Sequence, residues 1–289
     1  MVYEDLVTTL GAVFRPQLPP ERLRGVVEAA EEAGLEQLWV WEDCFLEGGI
    51  ATASAALAWT ERLKVGIGLL PVPLRNVALA TMETATLHRM FPDRALIGLG
   101  HGVQDWMGQV GARAESPVTL LREYAVAMRS LLAGERVTTE GRYVKLQDVA
   151  LDWPPQSVPP LYAGATGPRS IRLCGEIADG TILTAATTPE ILAKARQLID
   201  EGRAAAGKSD PHEIVVYLLT ATGEGAAERI AADNEGAKAG VAGNAEDVAA
   251  AVLRLAEAGA DTVVLQPTAD EPDPEGFVRF AANGVKPLI

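Results

Sequence analysis

Residues 30–40, AEEAGLEQLWV, and residues 256–265, AEAGADTVVL, repeat one local pattern at two distant places in the chain. In each, a helical run rich in alanine and glutamate ends at a glycine, Gly34 or Gly259, and an apolar run follows directly. Glycine readily adopts the left-handed conformation that closes a helix. The pattern therefore predicts a repeated unit of helix, turn and strand.

Short apolar runs alternate with helix-periodic stretches along the whole chain, which is typical of parallel βαβ units. The predicted strands are residues 7–14, 36–41, 63–69, 94–99, 159–164, 179–184, 213–221 and 261–266. The predicted helices are residues 20–33, 49–60, 76–90, 117–133, 168–177, 189–206, 244–258 and 274–283. Eight such pairs favour a closed (β/α)8 TIM barrel over an open sheet.

Two stretches interrupt this alternation. Residues 134–158 predict a small hairpin or excursion before the fifth strand, and residues 222–243 predict an irregular or partly helical connection. No polar linker separates two independent patterns, so we expect a single domain over residues 1–289.

Composition excludes several classes of function. The formal net charge of −14 argues against a nucleic-acid partner, since phosphate binding needs a basic surface. Two cysteines and three scattered histidines predict no metal site. No lysine follows a predicted strand, which argues against a Schiff-base aldolase. Without a long apolar run or a basic leader, we expect a cytoplasmic protein with no membrane partner.

The active site of such a barrel lies at the C-terminal ends of its strands. The second strand ends in residues 41–44, WEDC. The carboxylates and the thiol of this segment could bind a ligand, or the segment could simply be the start of a solvated loop. The fourth ends in residues 98–102, GLGHG, where the glycines leave room for a ligand against the backbone and His101 is a possible contact. A lone histidine is more often structural, and both interpretations stay open.

Glycines also mark the third and fifth strands. Residues 66–71, GIGLLP, predict either a β-bulge with close approach of a ligand or a plain strand end. Residues 162–170, YAGATGPRS, place a glycine-rich turn directly before a helix. The free N–H groups and the dipole of such a helix start favour a phosphate.

The ordered set of segments resembles the luciferase-like superfamily, which contains flavin-dependent monooxygenases and F420-dependent reductases and dehydrogenases. Besides the glycine-rich third strand, the segments are AAEEAGLEQLWVWED (29–43), FPDRALIGLGHG (91–102), GRYVKLQDVAL (141–151), AGATGPRSIRLCGEIADGTIL (163–183) and EDVAAAVLRLAEAGADTVVLQP (246–267). No single segment is decisive, but together they span nearly the whole chain in the expected order.

The resemblance implies a site for the deazaflavin coenzyme F420. Asp43 matches an aspartate that holds the deazaflavin head group, and Gly68–Leu69 matches a non-prolyl cis peptide in a bulge that backs the ring. His101, Gly102 and the turn after the fifth strand match segments that line the cofactor chain and bind its phosphate. The implied residues of that turn are Ala163, Gly164, Ala165, Thr166, Gly167 and Pro168.

Two positions depart from the family pattern. Many F420-dependent members carry histidine where this chain has Cys44, and the sugar-phosphate dehydrogenases carry glutamate where it has Val103. These changes argue against the sugar-phosphate reaction and leave the general acid or base open. Cys44 and His101 are the candidate catalytic residues.

The resemblance thus predicts an F420-dependent oxidoreductase that transfers a hydride between the coenzyme and an unidentified small organic substrate. An FMN-dependent luciferase-like monooxygenase is the alternative. A barrel that binds flavin or F420 without catalysis is a third possibility. The family also implies a homodimer.

Overall fold

Parallel strands separated by helices close into a barrel, which confirms the predicted (β/α)8 fold. The computed structural model describes residues 8–233 and 240–289. In chain order the strands are β1 (Thr9–Phe14), β2 (Gln37–Val40), β3 (Lys64–Pro71), β4 (Ala95–Gly100), β5 (Val137–Glu140), β6 (Lys145–Val149), β7 (Leu161–Gly164), β8 (Gly180–Leu183), β9 (Glu213–Ala221), β10 (Val241–Ala242) and β11 (Thr262–Pro267).

Eight of these described strands form the barrel, in the order β1-β2-β3-β4-β7-β8-β9-β11. The ring closes where Thr9 of β1 pairs with Thr262 of β11. The short strand β10 extends the sheet beside the end of β9. All barrel pairings are parallel, so the C-terminal ends of the eight strands meet at one face.

The helices surround this barrel and match the predicted ones to within three residues at their starts. They are α1 (Leu23–Ala33), α2 (Gly49–Ala58), α3 (Val77–Met90), α4 (Gln104–Gln109), α5 (Pro117–Leu132), α6 (Pro168–Ile177), α7 (Pro189–Ala205), α8 (Ala226–Asp233), α9 (Ala245–Glu257) and α10 (Pro274–Arg279). Gly34 and Gly259 take φ angles of +76° and +108°, as the repeated helix–turn–strand pattern predicts.

Some elements differ from the sequence-based expectation. Residues 134–158 contain the antiparallel hairpin β5–β6, as predicted. Helix α4 was not predicted, because six residues are too short to show a helical period. Residues 222–243 contain α8 and β10, but residues 234–239 lie outside the described residues. Residue 7 of the predicted first strand also lies outside them.

The interior of the barrel is filled by large side chains, with the fully buried Trp39 at its centre. The Trp39 ring meets Tyr162 and Tyr217 edge to face, at centroid distances of 6.1 and 6.3 Å. A Cβ on Gly66 would lie 2.3 Å from the Trp39 ring, so this glycine makes room for the indole. Gly66 therefore serves packing rather than the approach of a ligand, which corrects one reading of the third strand.

Strand β3 contains the predicted bulge. Its pairing register with β4 shifts between Ile67 and Leu70, and the Gly68–Leu69 peptide bond is cis. A second non-prolyl cis peptide, Cys44–Phe45, follows β2 and was not predicted. The helices within residues 8–233 and 240–289 are too short or too polar to cross a membrane.

His212, just before β9, makes folding stability depend on pH. Its Nε2 atom lies 2.8 Å from Thr181 Oγ1 in a buried position. Burial, with the charges of Arg203, Lys208 and Arg196, lowers the His212 pKa to about 4. An unfolded histidine has a pKa of about 6.5, so between these values the unfolded chain binds more protons. The stability that neutral, buried His212 contributes is complete above pH 6.5 and is lost as the pH falls toward 4.

We therefore expect the melting temperature to fall between pH 7 and pH 5. The contribution of His212 to this loss is up to about 2 kcal/mol. Thermal melts of the native chain and of His212→Gln, which keeps a polar partner for Thr181, measure it. The variant should lose less stability over this interval, and an equal loss in both proteins would contradict the assignment.

Candidate active site

A cavity of about 490 Å³ opens at the C-terminal ends of the barrel strands, a volume within the range of small-molecule sites. Its lining residues are Trp41, Glu42, Asp43, Gly68, Leu69, Pro71, His101, Gly102, Val103, Trp106, Gly164, Ala165, Thr166, Ile182, Thr184, Ala185, Tyr217 and Gln266. They come from the ends of seven barrel strands or the turns that follow them, together with the short helix α4.

The cavity brings together most of the residues singled out in the sequence. Those that line it are Asp43, Gly68, Leu69, His101, Gly102, Gly164, Ala165 and Thr166. Those outside its lining are Cys44, Ala163, Gly167 and Pro168. Ala163 is buried within β7, and Gly167 and Pro168 are exposed where α6 begins. Cys44 is half-buried in the loop after Asp43.

The bulge residue Leu69 sits in a socket made by three glycines. A Cβ on Gly100 would lie 2.3 Å from Leu69 Cδ1, and one on Gly164 would lie 2.8 Å from Leu69 Cδ2. A Cβ on Gly98 would lie 3.1 Å from Leu69 Cδ2 and 2.6 Å from Ile182 Cδ1. The expectation that the glycines of the fourth strand admit a ligand is therefore wrong for Gly98 and Gly100. Gly98 and Gly100 instead leave room for the Leu69 side chain, which forms part of the cavity wall.

Tyr217 supports the bulge from the opposite side of the barrel. Its hydroxyl donates to the Gly68 carbonyl at 3.4 Å, and its ring lies 5.5 Å from the Trp41 ring. Burial raises the pKa of Tyr217, which keeps the phenol protonated at neutral pH. Tyr217 was not predicted from the sequence, although a tyrosine within the apolar run of β9 was a signal that could have found it.

Asp43 is the acidic side chain of the cavity that lacks a close ion-pair partner among the described residues. Burial raises its pKa, while the positive charge of Arg15 opposes the shift. The Arg15 guanidinium lies 5.1 Å from the Trp41 ring centroid, pairs with Asp233 at 3.2 Å and donates to the Pro267 carbonyl. A half-buried carboxyl with a raised pKa in a cavity is typical of binding or catalytic sites.

His101 connects the end of β4 to the start of α6. Its Nε2 atom lies 3.0 Å from the Ser170 hydroxyl, in the first turn of α6. Burial lowers the pKa of His101, so the imidazole is neutral at pH 7. A neutral imidazole can accept a proton and, once protonated, return it, which suits a role in proton transfer.

The turn between β7 and α6 offers a place for an anion. Gly167 caps α6 without a side-chain hydrogen bond, and Pro168 occupies the first helical position. The N–H groups of Arg169 and Ser170 therefore have no carbonyl within the helix to pair with. Together with the helix dipole they favour a phosphate beside Ala165 and Thr166, which line the cavity.

The Cys44 thiol is protonated at neutral pH. Burial and the nearby carboxylates of Glu42 and Asp43 raise its pKa. The thiolate is the nucleophilic form of cysteine, so this environment does not favour nucleophilic chemistry.

Glu42 lines the cavity, and its carboxylate is held by an ion pair with Arg75. Both its carboxylate oxygens accept from the Arg75 guanidinium, and Oε2 also accepts from the Gly49 N–H at 2.8 Å. Arg75 also lies 3.4 Å from Glu83. The pair connects the end of β2, next to Asp43, to the segment that follows β3.

Comparison with known proteins identifies related sequences and folds. The family described as luciferase-like monooxygenase matches residues 7–232. The 5,10-methylenetetrahydromethanopterin reductase of Methanolobus tindarius is 30% identical over 208 residues, covering 72% of this chain and 63% of that protein. The F420-dependent glucose-6-phosphate dehydrogenase of Microbacterium testaceum is 31% identical over 206 residues, covering 67% of this chain and 61% of that protein. The match thus spans less than two thirds of either relative.

Among solved structures, an F420-dependent secondary alcohol dehydrogenase in complex with an F420-acetone adduct superposes with a TM-score of 0.85. The alignment covers 98% of each chain at 22% identity. At this identity the likeness establishes a shared fold.

Proposed function

This chain belongs to the luciferase-like monooxygenase family, and from that premise we propose that it is an F420-dependent oxidoreductase acting on a small organic substrate. The observation that carries the proposal is the cavity at the mouth of the barrel, with the bulge at Leu69 in its wall and the start of α6 beside it. The names of the two sequence relatives, an F420-dependent dehydrogenase and a reductase, support the choice of chemistry.

The lining of the cavity fits such a coenzyme. Leu69 and Ile182 offer apolar surface for a flat deazaflavin ring, and Asp43 offers a carboxyl for its polar edge. The turn from Gly164 to Gly167 offers N–H groups for the phosphate of the attached chain. Bound F420 would supply the carbon centre that gives or takes a hydride, while the protein orients and shields the reactants.

His101 is the stronger candidate for moving a proton at this site. It lines the cavity as a neutral imidazole and is oriented by Ser170. Cys44 remains a second candidate, although its thiol is protonated and lies outside the cavity lining. Comparing the pH profiles of turnover in His101→Asn and Cys44→Ala would separate the two roles.

The alternative is an FMN-dependent monooxygenase, which the description of the family favours. Oxygen consumption on addition of reduced FMN distinguishes this reaction from F420-dependent hydride transfer. A barrel that only binds the cofactor is the remaining candidate, and turnover of any substrate by the pure protein would remove it.

Replacing Asp43 by alanine should weaken the binding of F420 about tenfold or more, since a hydrogen bond to a charged group contributes about 1.5–3 kcal/mol. Fluorescence titration with F420 measures the change. Asp105→Ala is the control, because the Asp105 side chain is exposed and outside the cavity lining. Unchanged affinity in Asp43→Ala would remove the assignment of Asp43 to the coenzyme.

We also propose that the chain forms a homodimer. Helix α2 carries no charged residue, and α3 exposes Leu79, Met82 and Met90 on its outer side, with relative exposures of 48, 56 and 61%. A second copy would cover this apolar face. Light scattering should give twice the 30.5 kDa of the chain, and Met82→Glu should shift the mass toward the monomer.

A further inference from the structure

A second cavity, of about 370 Å³, lies at the end of the barrel opposite the proposed coenzyme site. Its lining includes Lys64 and Ala95, the first residues of β3 and β4, and it shares no residue with the cavity at the barrel mouth. Because the barrel strands are parallel, their N-terminal ends meet at the face away from that mouth. We call this second site the lower cavity; it is bounded by these strand ends, the end of α3 and residues 155–160.

Lys64 gives the lower cavity a positive charge that is not yet paired. Its side chain is exposed and forms no ion pair with any residue that the structure describes. Two carboxylates, Glu31 and Glu36, share a neighbouring recess with it. The first pairs with Arg62 at 3.6 Å, and the second pairs with Lys286 at 3.5 Å. The Lys64 ammonium is therefore available to a ligand.

Arg89 adds a second positive charge and fixes one wall of the lower cavity. Its guanidinium donates to the Pro154 carbonyl at 2.9 Å and lies 5.1 Å from the Trp153 ring centroid. These contacts join the end of α3 to the loop that precedes β7. The wall formed by this loop is thus held in place before any ligand binds.

His88 contributes a polar atom without a partner. The residue lines the lower cavity and is only 9% exposed, and its Nε2 atom has no hydrogen-bond partner among the described residues. Burial lowers the pKa of His88, so the imidazole is neutral at pH 7. A buried polar atom without a partner costs free energy, and a polar ligand that pairs with it would offset this cost.

The remaining wall of the lower cavity is largely apolar and rigid. Four prolines, Pro92, Pro155, Pro159 and Pro160, line it together with Leu96. The proline ring fixes the backbone φ angle, so little conformational entropy is lost when a ligand packs against this wall. An apolar ligand body gains free energy by burial on the same surface.

The charges of the lining suit a ligand with one negative charge. Lys64 and Arg89 are cations, and Asp93 is the carboxylate of the described lining, which leaves one positive charge. A monocarboxylate balances this charge, whereas a dianion such as a phosphate ester exceeds it. The ligand chemistry that fits both the charge and the proline wall is therefore a carboxylate on an apolar body.

We propose that the lower cavity binds a small monocarboxylate with an apolar body, with the carboxylate beside Lys64 and the body against the prolines. The active site of a TIM barrel lies at the C-terminal face, so this ligand is held at the lower cavity rather than converted there. The proposal does not depend on the identity of the coenzyme at the barrel mouth.

The first test compares three probes by calorimetric titration of the purified protein at pH 7. Benzoate carries the charge and the ring, benzyl alcohol has the ring without the charge, and acetate has the charge without the ring. Benzoate should bind at least about fivefold more tightly than either of the others. Absence of benzoate binding, or equal affinity for all three probes, would overturn the proposal.

Removing the unpaired cation locates the binding. Lys64→Met should weaken benzoate binding about threefold or more and leave the binding of benzyl alcohol unchanged. Lys194→Met is the control, because Lys194 is an exposed lysine on α7 outside the lining. Unchanged benzoate affinity in Lys64→Met, or an equal loss in both variants, would place the binding elsewhere and refute the site.

Removing the opposing carboxylate should have the reverse effect, which a damaged fold would not produce. Asp93→Asn should raise the affinity for benzoate about twofold or more, because repulsion of the bound carboxylate is lost. Asp93 has a φ angle of +60°, and asparagine tolerates this left-handed conformation. Asp148→Asn is the matched control, since Asp148 has a φ angle of +56° and is exposed outside the lining. A failure of Asp93→Asn to exceed this control would count against the proposal.

Discussion

Replacing Gly100 by alanine is expected to lower the affinity for F420 about tenfold to a hundredfold, the loss that about 1–3 kcal/mol of overpacking would cause. The new methyl group would lie 2.3 Å from Leu69 Cδ1, so the leucine must leave its socket. Gly98 and Gly164 close the socket on other sides, which leaves the cavity as the open direction. Leu69 would then occupy space that the proposed coenzyme ring needs.

The decisive variant is the double substitution Gly100→Ala with Leu69→Ala. Shortening the leucine relieves the contact at 2.3 Å and leaves only the Cβ of residue 69, at 3.3 Å, so the double variant should bind F420 more tightly than Gly100→Ala alone. Gly48→Ala is the matched control, because Gly48 has no atom within 4 Å of its added Cβ and a φ angle of −86°. Affinity for F420 that is unchanged in Gly100→Ala would contradict the role of the socket.

Replacing Arg75 by methionine is expected to lower the free energy of unfolding by about 3–5 kcal/mol. The substitution leaves the buried Glu42 carboxylate and the nearby Glu83 without their cation. For a chain of this size, the melting temperature should fall by about 10 °C. Thermal and denaturant unfolding measure the loss.

The exposed pair of Arg24 and Glu28 on α1 provides the control. Their side chains are 64% and 45% exposed, and such pairs contribute about 0.5 kcal/mol or less. Arg24→Met should therefore change stability little. Adding Glu42→Gln to Arg75→Met should recover part of the loss, since it removes the unpaired charge. A loss in Arg75→Met no larger than that in Arg24→Met would disprove the importance of the buried pair.

The barrel could be predicted because its signals are local. Gly34 and Gly259 end helices directly before strands, and these helix ends can be predicted from the neighbouring residues alone. Polar residues that follow strands, such as Asp43 and His101, could be placed at one face because parallel strands end together.

The rest depends on contacts between residues far apart in the chain. Gly100 is a glycine because Leu69 occupies the space beside it, and Gly66 because Trp39 does. Nothing in the local sequence of either glycine distinguishes room for a side chain from room for a ligand. Arg75 and Glu42 are 33 residues apart, and no periodicity joins them. Such pairs can be identified only from the folded structure, because closure of the barrel brings their members together.

Fluorescence titration of the purified protein with oxidised F420 and, separately, with FMN decides which coenzyme the cavity binds. We expect micromolar binding of F420 with little response to FMN. Tight binding of FMN without F420 would contradict it and favour the monooxygenase reaction, and binding of neither would contradict the proposed cofactor site altogether.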